Sequence, residues 1–241
     1  MTEAPENWTS LKKILVILAH PDDPEFFCGA TIARWTSAGH SISYCLLTKG
    51  DKGGQDRAIH PQGLAAMRVL EQEAAAAQVG VSEVKFLNYS DGYLVADLAL
   101  RRDIVRVIRQ ERPDIIVSSD PLNIYTDTGI NHPDHRTAGQ AVIDAVFPAS
   151  GNYFFFPDLL VEGLEPHPVK EIWLSIPSAA TVNVTVDVTE HWEAKIKALR
   201  QHKSQIGDPD KFEERMRGRK TADSPAESPH YEERFHRIVF G

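Results

Sequence analysis

The chain has few cysteines, with only Cys28 and Cys45 among its 241 residues. They form neither a C-x-x-C motif nor the multiple-cysteine framework of a disulfide-rich domain. A closed structural zinc site is disfavoured for the same reason, because such sites are rich in cysteine. Both residues lie in apolar surroundings, so we expect buried thiols and a reducing, cytoplasmic location.

Positive charge and long apolar runs are also scarce. Lys and Arg number 26 against 34 Asp and Glu, which gives a net charge of -8. A protein that follows a phosphate backbone needs a basic surface, so we expect no nucleic-acid partner. The apolar run Ile14–Ala19 is shorter than the core of a signal peptide or a membrane span. We interpret it as a buried strand and expect no membrane span.

The chain does contain a regular alternation of β-branched runs and helical stretches. Strands are predicted at Ile14–Ala19, Ser41–Leu47, Val84–Leu87 and Ile115–Ser118. Helices are predicted at Phe26–Ser37, Leu64–Val79, Leu98–Arg112 and after His135 through Phe147. This alternation predicts an α/β fold with a mainly parallel sheet and helices on both faces. A second independent domain is not supported, so residues 1–241 are expected to form one domain.

Two polar segments are predicted to be irregular. Residues 48–61 are rich in Gly and charge, which is typical of a functional loop or lid. Residues 207–229 contain several prolines and are predicted to be a loop or mobile cover. The aromatic stretch Tyr153–Pro168 is also expected to be irregular, before strands at Glu171–Ile176 and Thr181–Val188 and a helix at His191–Lys203.

Two short motifs stand at matching places in this pattern. HPDD at 20–23 directly follows the first predicted strand, and HPDH at 132–135 follows the strand at 115–118 through a loop. The carboxyl ends of strands in a doubly wound fold share one sheet edge, where ligands bind, so the motifs are expected to converge. One such motif alone is more typical of a turn whose Asp caps a helix. Two in the same pattern favour a divalent cation.

The predicted ligands of this cation are His20, Asp23 and His135. A catalytic zinc site takes three protein ligands of this kind and leaves a position for water. We therefore predict one Zn2+ per chain. The same ligand set also suits a non-haem Fe(II) oxygenase, and this alternative remains open from the residues alone.

The remaining polar residues of the motifs are predicted to carry the chemistry. Asp22 is free to act as the general base on a water, and His132 to act as a general acid or to stabilise an oxyanion. Asp134 could then hold the imidazole of His132. Arg68 and Asp91 are candidates to bind substrate hydroxyls, although each alone is typical of a salt bridge or a turn. A protein that only binds a metal or a sugar would not need Asp22 and His132.

At these residues the sequence resembles the LmbE-like, PIG-L-type N-acetylglucosamine de-N-acetylase family. The stretch AHPDDPEFFCGATIARW resembles that family's A-H-P-D-D-x-E followed by G-G-T-[LI]-A, and HPDH at 132–135 is the second match. Weaker similarities to the family occur in the same order along the chain, at 48–53, at Arg68 with Glu71, at 90–92 and at 195–205. The chain departs from the pattern at Ala30, which replaces a glycine, and at Phe26-Phe27, which crowd the turn.

The resemblance implies a Rossmann-like fold and zinc-dependent hydrolysis of an N-acetyl group. The implied partner is a small N-acetylglucosamine-type sugar or glycoconjugate, and relatives often assemble into homo-oligomers. The aromatic segment Tyr153–Phe156 is a candidate either for an interface or for the core. The implied roles are zinc ligation by His20, Asp23 and His135, general base catalysis by Asp22, acid or oxyanion stabilisation by His132 with Asp134 behind it, and sugar contacts from Arg68 and Asp91.

Overall fold

The computed structural model describes residues 5–54, 56–126, 129–225 and 227–240. Its strands are β1 Lys13–Leu18, β2 Ser41–Thr48, β3 Glu83–Tyr89, β4 Ile115–Ser119, β5 Tyr125–Thr126, β6 Gly129–Ile130, β7 Glu171–Ser175, β8 Val184–Asp187 and β9 Glu232–Val239. Its α-helices are α1 Asp23–Ser37, α2 Pro61–Gln78, α3 Leu98–Glu111, α4 Pro133–Asp144, α5 Pro157–Val161, α6 Trp192–Leu199, α7 Lys203–Ile206 and α8 Pro209–Arg217.

One seven-stranded sheet forms the centre of a single α/β domain, in the order β3-β2-β1-β4-β7-β9-β8. The first five strands in this order pair in parallel, whereas β9 pairs antiparallel with both β7 and β8. The predicted fold, with a mainly parallel sheet, is therefore confirmed. Since the chain moves from β1 to β2 and β3 on one side and later to β4 on the other, the carboxyl ends of β1 and β4 form the topological switch point where such sheets bind ligands.

Helices cover both faces of the sheet, and the side chains of β1 point alternately into the two cores that result. Ile14 and Val16 pack with residues of α1, α2 and α6, and Leu15 and Ile17 pack with residues of α3 and α4. Strands buried on both faces have continuous apolar sequences, which explains why β1 and β4 were recognisable. Cys28 and Cys45 are buried free thiols, as expected.

The prediction that residues 207–229 lack regular structure is wrong for helix α8. Pro209 occupies its first turn, where a missing N–H costs nothing, and the Asp208 side chain accepts from the N–H groups of Asp210 and Lys211. Proline therefore starts a helix here instead of preventing one. The predicted helix His191–Lys203 is divided into α6 and α7.

Two further elements were missed by the sequence patterns. β9 has charged residues at several positions, but Phe235 and Glu233 are buried, and the strand is held between β7 and β8. Within the aromatic stretch, α5 forms, Phe155 and Phe156 pack on the core, and Tyr153 and Phe154 are exposed. In the described part of the chain, no helix combines the length and apolarity that crossing a membrane requires.

Gly139 sets how closely α4 approaches the end of β4. A Cβ at this position would lie 2.3 Å from the Ser119 carbonyl oxygen and 3.0 Å from the Pro121 ring. We expect Gly139→Ala to destabilise the protein by about 1–3 kcal/mol, because a backbone atom cannot move aside as a side chain can. Denaturant unfolding measures this change.

The matched control is Gly63→Ala in the first turn of α2, where an added Cβ would meet no described atom within 4 Å. This variant should be neutral or more stable by up to about 1 kcal/mol, since alanine favours helix. Equal stabilities of the two variants would contradict the close approach at Gly139.

Candidate active site

The HPDD segment forms the turn between β1 and α1. The Oδ2 atom of Asp23 accepts the backbone N–H of His20 at 2.8 Å and closes the turn. Asp22 precedes the first residue of α1 with a φ of 90°, in the left-handed region that side chains rarely adopt. The turn therefore buries His20 and Asp23 and leaves the Asp22 side chain 15% exposed.

The HPDH segment begins helix α4 beside this turn. His132 is the N-cap, and its Nδ1 accepts the backbone N–H of Asp134 at 3.2 Å. His135 lies in the first turn of the helix, where its Nδ1 is 2.8 Å from the Asn131 Oδ1. That contact leaves the His135 Nε2 directed towards the HPDD turn. The two motifs converge, as predicted.

The three predicted ligands present their donor atoms to one another. His20 Nδ1 is 3.2 Å from His135 Nε2 and 3.4 Å from Asp23 Oδ2, and His135 Nε2 is 3.1 Å from Asp23 Oδ1. Bonds of about 2.0–2.2 Å to a tetrahedral zinc would separate two donors by roughly 3.3–3.6 Å, close to these distances. The donor set therefore fits a divalent ion. Two other sets of three potential metal ligands also include His20, one with His132 and His135 and the other with Asp91 and Asp134. Within each set, the ligand atoms lie within 4.8 Å of one another.

The charges around His20 favour a cation at this position. Burial by itself lowers the pKa of His20, but the carboxylates of Asp23, Asp134 and Asp91 outweigh it and raise the pKa to about 12. Burial raises the pKa of Asp23, yet the neighbouring His135 and His20 hold it well below its usual range. Metal ligands must lose their protons to bind, so an ion here would replace the positive charge of the proton.

The predicted pairing of Asp134 with His132 is wrong, because its carboxylate contacts His20. Asp134 Oδ2 lies 3.3 Å from His20 Nε2 and accepts the Gly92 N–H at 2.7 Å, while Oδ1 accepts the Leu94 N–H at 3.3 Å. These backbone donors come from a turn far away in the sequence, which no local pattern reveals. Asp134 is thus an outer partner of a candidate ligand, the arrangement that usually orients metal-binding histidines.

Asp91 is a second carboxylate on the same nitrogen. Its Oδ1 is 3.1 Å from His20 Nε2 and its Oδ2 accepts the Lys52 N–H at 3.2 Å. Burial raises the pKa of Asp91, but His20 lowers it to about 2. Its role as a substrate contact stays a prediction, and in the structure its carboxylate contacts His20 and the backbone of Lys52.

Asp22 is the carboxylate left beside the three donors. Burial raises its pKa to about 7, against the lowering effect of the Arg68 guanidinium, whose Nη2 lies 3.3 Å from Asp22 Oδ2. A base with a pKa near the working pH is best suited to proton transfer. Arg68 is buried, donates to the carbonyl oxygens of Gly50 and Pro21, and lines the cavity, so its role as a sugar contact stays a prediction.

A cavity of about 270 Å³ opens over these groups. Phe27 closes one side, with its ring 5.1 Å from that of His135. Gly53 is the residue of the described part of the 48–61 segment that lines the cavity. The lining residues are His20, Asp22, Asp23, Phe26, Phe27, Gly53, Arg68, Asp91, His132 and His135.

Comparison with known proteins identifies the family. The profile of the PIG-L family, described as GlcNAc-PI de-N-acetylase, matches residues 15–146. The chain belongs to this family. Since the PIG-L match includes both motifs, the resemblance found in the sequence is confirmed, and so is the prediction of an N-deacetylase, a hydrolase of N-acetyl amides.

The matches to individual PIG-L relatives cover most of the chain. The diacetylchitobiose deacetylase of Thermococcus kodakarensis is 36% identical over 201 residues, covering 83% of this chain and 73% of the relative. The solved N,N'-diacetylchitobiose deacetylase of Pyrococcus horikoshii is 31% identical with a TM-score of 0.87, over 99% of this chain and 88% of that one. A 1D-myo-inositol 2-acetamido-2-deoxy-alpha-D-glucopyranoside deacetylase from Catenulispora acidiphila is 26% identical. The match covers 81% of this chain and 80% of that relative.

Proposed function

We propose that this chain is a zinc-dependent deacetylase that removes the N-acetyl group from an N-acetylglucosamine-type sugar or glycoconjugate. The observation that carries the proposal is the triangle of donor atoms from His20, Asp23 and His135, with the Asp22 carboxylate beside it. The relatives named for deacetylation of such sugars support the substrate class.

His20, Asp23 and His135 would hold the ion, and Asp134 and Asp91 would fix the outer nitrogen of His20. A divalent ion in such a site polarises a carbonyl oxygen and lowers the pKa of a water molecule towards neutrality. Side chains of the protein carry out the remaining tasks, which are proton transfer and stabilisation of the developing negative charge.

Asp22 takes a proton from the water that attacks the amide carbon. Its raised pKa keeps the carboxyl able both to accept this proton and to pass it on to the nitrogen as the C–N bond breaks. The products are then acetate and a free amine, and the carboxylate is regenerated.

His132 stabilises the negative charge that develops on the amide oxygen. Because its Nδ1 accepts the Asp134 N–H, the proton of the neutral ring is on Nε2, which is the free donor. Burial and the charges of His20 and His135 lower the pKa of His132, which favours this neutral form. A donor placed at a developing oxyanion typically contributes about 10²–10³ in rate.

A screen for acetate release tests the proposed function. The substrates are N-acetylglucosamine, N,N'-diacetylchitobiose and an inositol-linked N-acetylglucosamine, each given to zinc-loaded and to chelated protein. We expect acetate and free amine in equal amounts from at least one sugar, loss of release on chelation, and recovery when zinc is restored.

The same assay separates the alternatives. Oxygen uptake with iron and no acetate would support an oxygenase that uses the same ligands. Sugar binding without acetate release would support a protein that only binds. Either result would refute the proposed function.

A further inference from the structure

Two side chains of helix α2 form hydrogen bonds with the two polar groups of one peptide unit, the one that joins Pro21 to Asp22. At one end, Arg68 Nη2 donates to the Pro21 carbonyl oxygen at 2.6 Å. At the other end, the Asp22 N–H donates to Gln72 Oε1 at 2.8 Å. Arg68 and Gln72 lie one turn apart on α2, and both are buried. The plane of this peptide is therefore fixed relative to the helix.

The orientation of this peptide determines where the Asp22 carboxylate points. Rotation of the Pro21–Asp22 peptide about the N–Cα bond of Asp22 changes its φ, which is 90° in the structure. A residue other than glycine keeps such a conformation only when its surroundings hold it there. Loss of one contact would permit rotation towards negative φ and would move the carboxylate relative to His20 and Asp23.

Gln72 is itself held by the carboxyl group of Glu25. Its Nε2 lies 3.0 Å from both carboxylate oxygens of Glu25, and Glu25 Oε2 lies 3.1 Å from His202 Nε2. Gln72, Glu25 and His202 are completely buried. Since the Asp22 N–H can only donate, the amide oxygen of Gln72 faces it, and the amide nitrogen is left to donate to the Glu25 oxygens.

We propose that Gln72 is a positioning residue for the catalytic base, and that Glu25 fixes the orientation in which it works. This inference rests on the proposed role of Asp22. It assigns Gln72 no contact with substrate or metal, so its effect should fall on turnover and leave substrate binding and the ion in place.

Gln72→Met tests the proposal, because methionine has a similar length but lacks the amide oxygen. We expect kcat to fall about 10–100-fold, as displacement of a reacting group by about 1 Å does. KM should stay within about two-fold, and metal analysis should still find one zinc per chain. Exchange of the Asp22 amide hydrogen with solvent should become faster. Gln78→Met, on the exposed end of the same helix, is the control and should change neither kcat nor this exchange.

An exchanged pair tests the same contacts without removing them. Gln72→Glu alone places two carboxylates against each other and should lower kcat. Adding Glu25→Gln restores a donor facing an acceptor, while the new carboxylate at 72 still accepts the Asp22 N–H. The double variant should therefore recover most of kcat.

The inference is overturned if Gln72→Met keeps wild-type kcat and amide exchange, or if the folded, zinc-loaded double variant stays as slow as Gln72→Glu. Failure of the proposed function looks different, since the wild-type chain would then release no acetate. In that case, amide exchange at Asp22 would still test the hydrogen bond from the Asp22 N–H to Gln72.

Discussion

Replacing Asp22 with asparagine is expected to lower kcat for acetate release by about 10²–10⁴-fold, the range lost with an acid–base group. Asparagine has nearly the same size and tolerates left-handed backbone, so the turn at φ 90° should persist. What it cannot do is accept a proton from water. Initial rates at saturating substrate measure the loss, and metal analysis should show zinc bound as in the wild type.

Asp91→Asn is the matched control for this prediction, because it makes the same substitution in another carboxylate of the cavity. Asp91 contacts His20 Nε2, so its loss should weaken metal affinity by about 10–100-fold, as for other outer partners of ligands. Excess zinc should then restore much of its rate, whereas it should not rescue Asp22→Asn. Near wild-type turnover of Asp22→Asn would remove Asp22 as the base.

The parts of the site that could be predicted from sequence depend on topology. β1 and β4 are apolar on both faces, and the motif that follows each lies at the same sheet edge because parallel strands end together. Once these two strands are recognised as neighbours, convergence of HPDD and HPDH follows.

The parts that could not be predicted depend on contacts between distant segments. Asp134 belongs to the same motif as His132, but the N–H groups of Gly92 and Leu94 direct its carboxylate to His20. Arg68 also donates to the Pro21 and Gly50 carbonyls, which lie far from it in the sequence. Such pairings leave no periodicity in the sequence.

Asp23→Asn should weaken zinc binding by more than the roughly 10–100-fold that the loss of an outer partner costs. The substitution keeps an oxygen that can accept the His20 N–H, so the turn should close, but it removes the charge between His20 and His135. Zinc at 100 times the wild-type Kd should stabilise the wild type by about 2.7 kcal/mol. The variant should show a much smaller stabilisation at that concentration, measured by thermal unfolding.

His132→Asn decides between two of the ligand sets that the geometry offers, His20 and His135 with either Asp23 or His132. The ligand atoms of His132, His20 and His135 lie within 4.8 Å of one another, but His132 is assigned to the oxyanion. We expect this variant to keep the stabilisation by zinc and to lose about 10²–10³ in kcat, as for a lost oxyanion donor. The opposite pattern, with zinc lost in His132→Asn and retained in Asp23→Asn, would exchange the roles of the two residues. The contacts favour Asp23, because its oxygens lie 3.1 Å and 3.4 Å from the other two donors and its carboxylate is held ionised by both histidines.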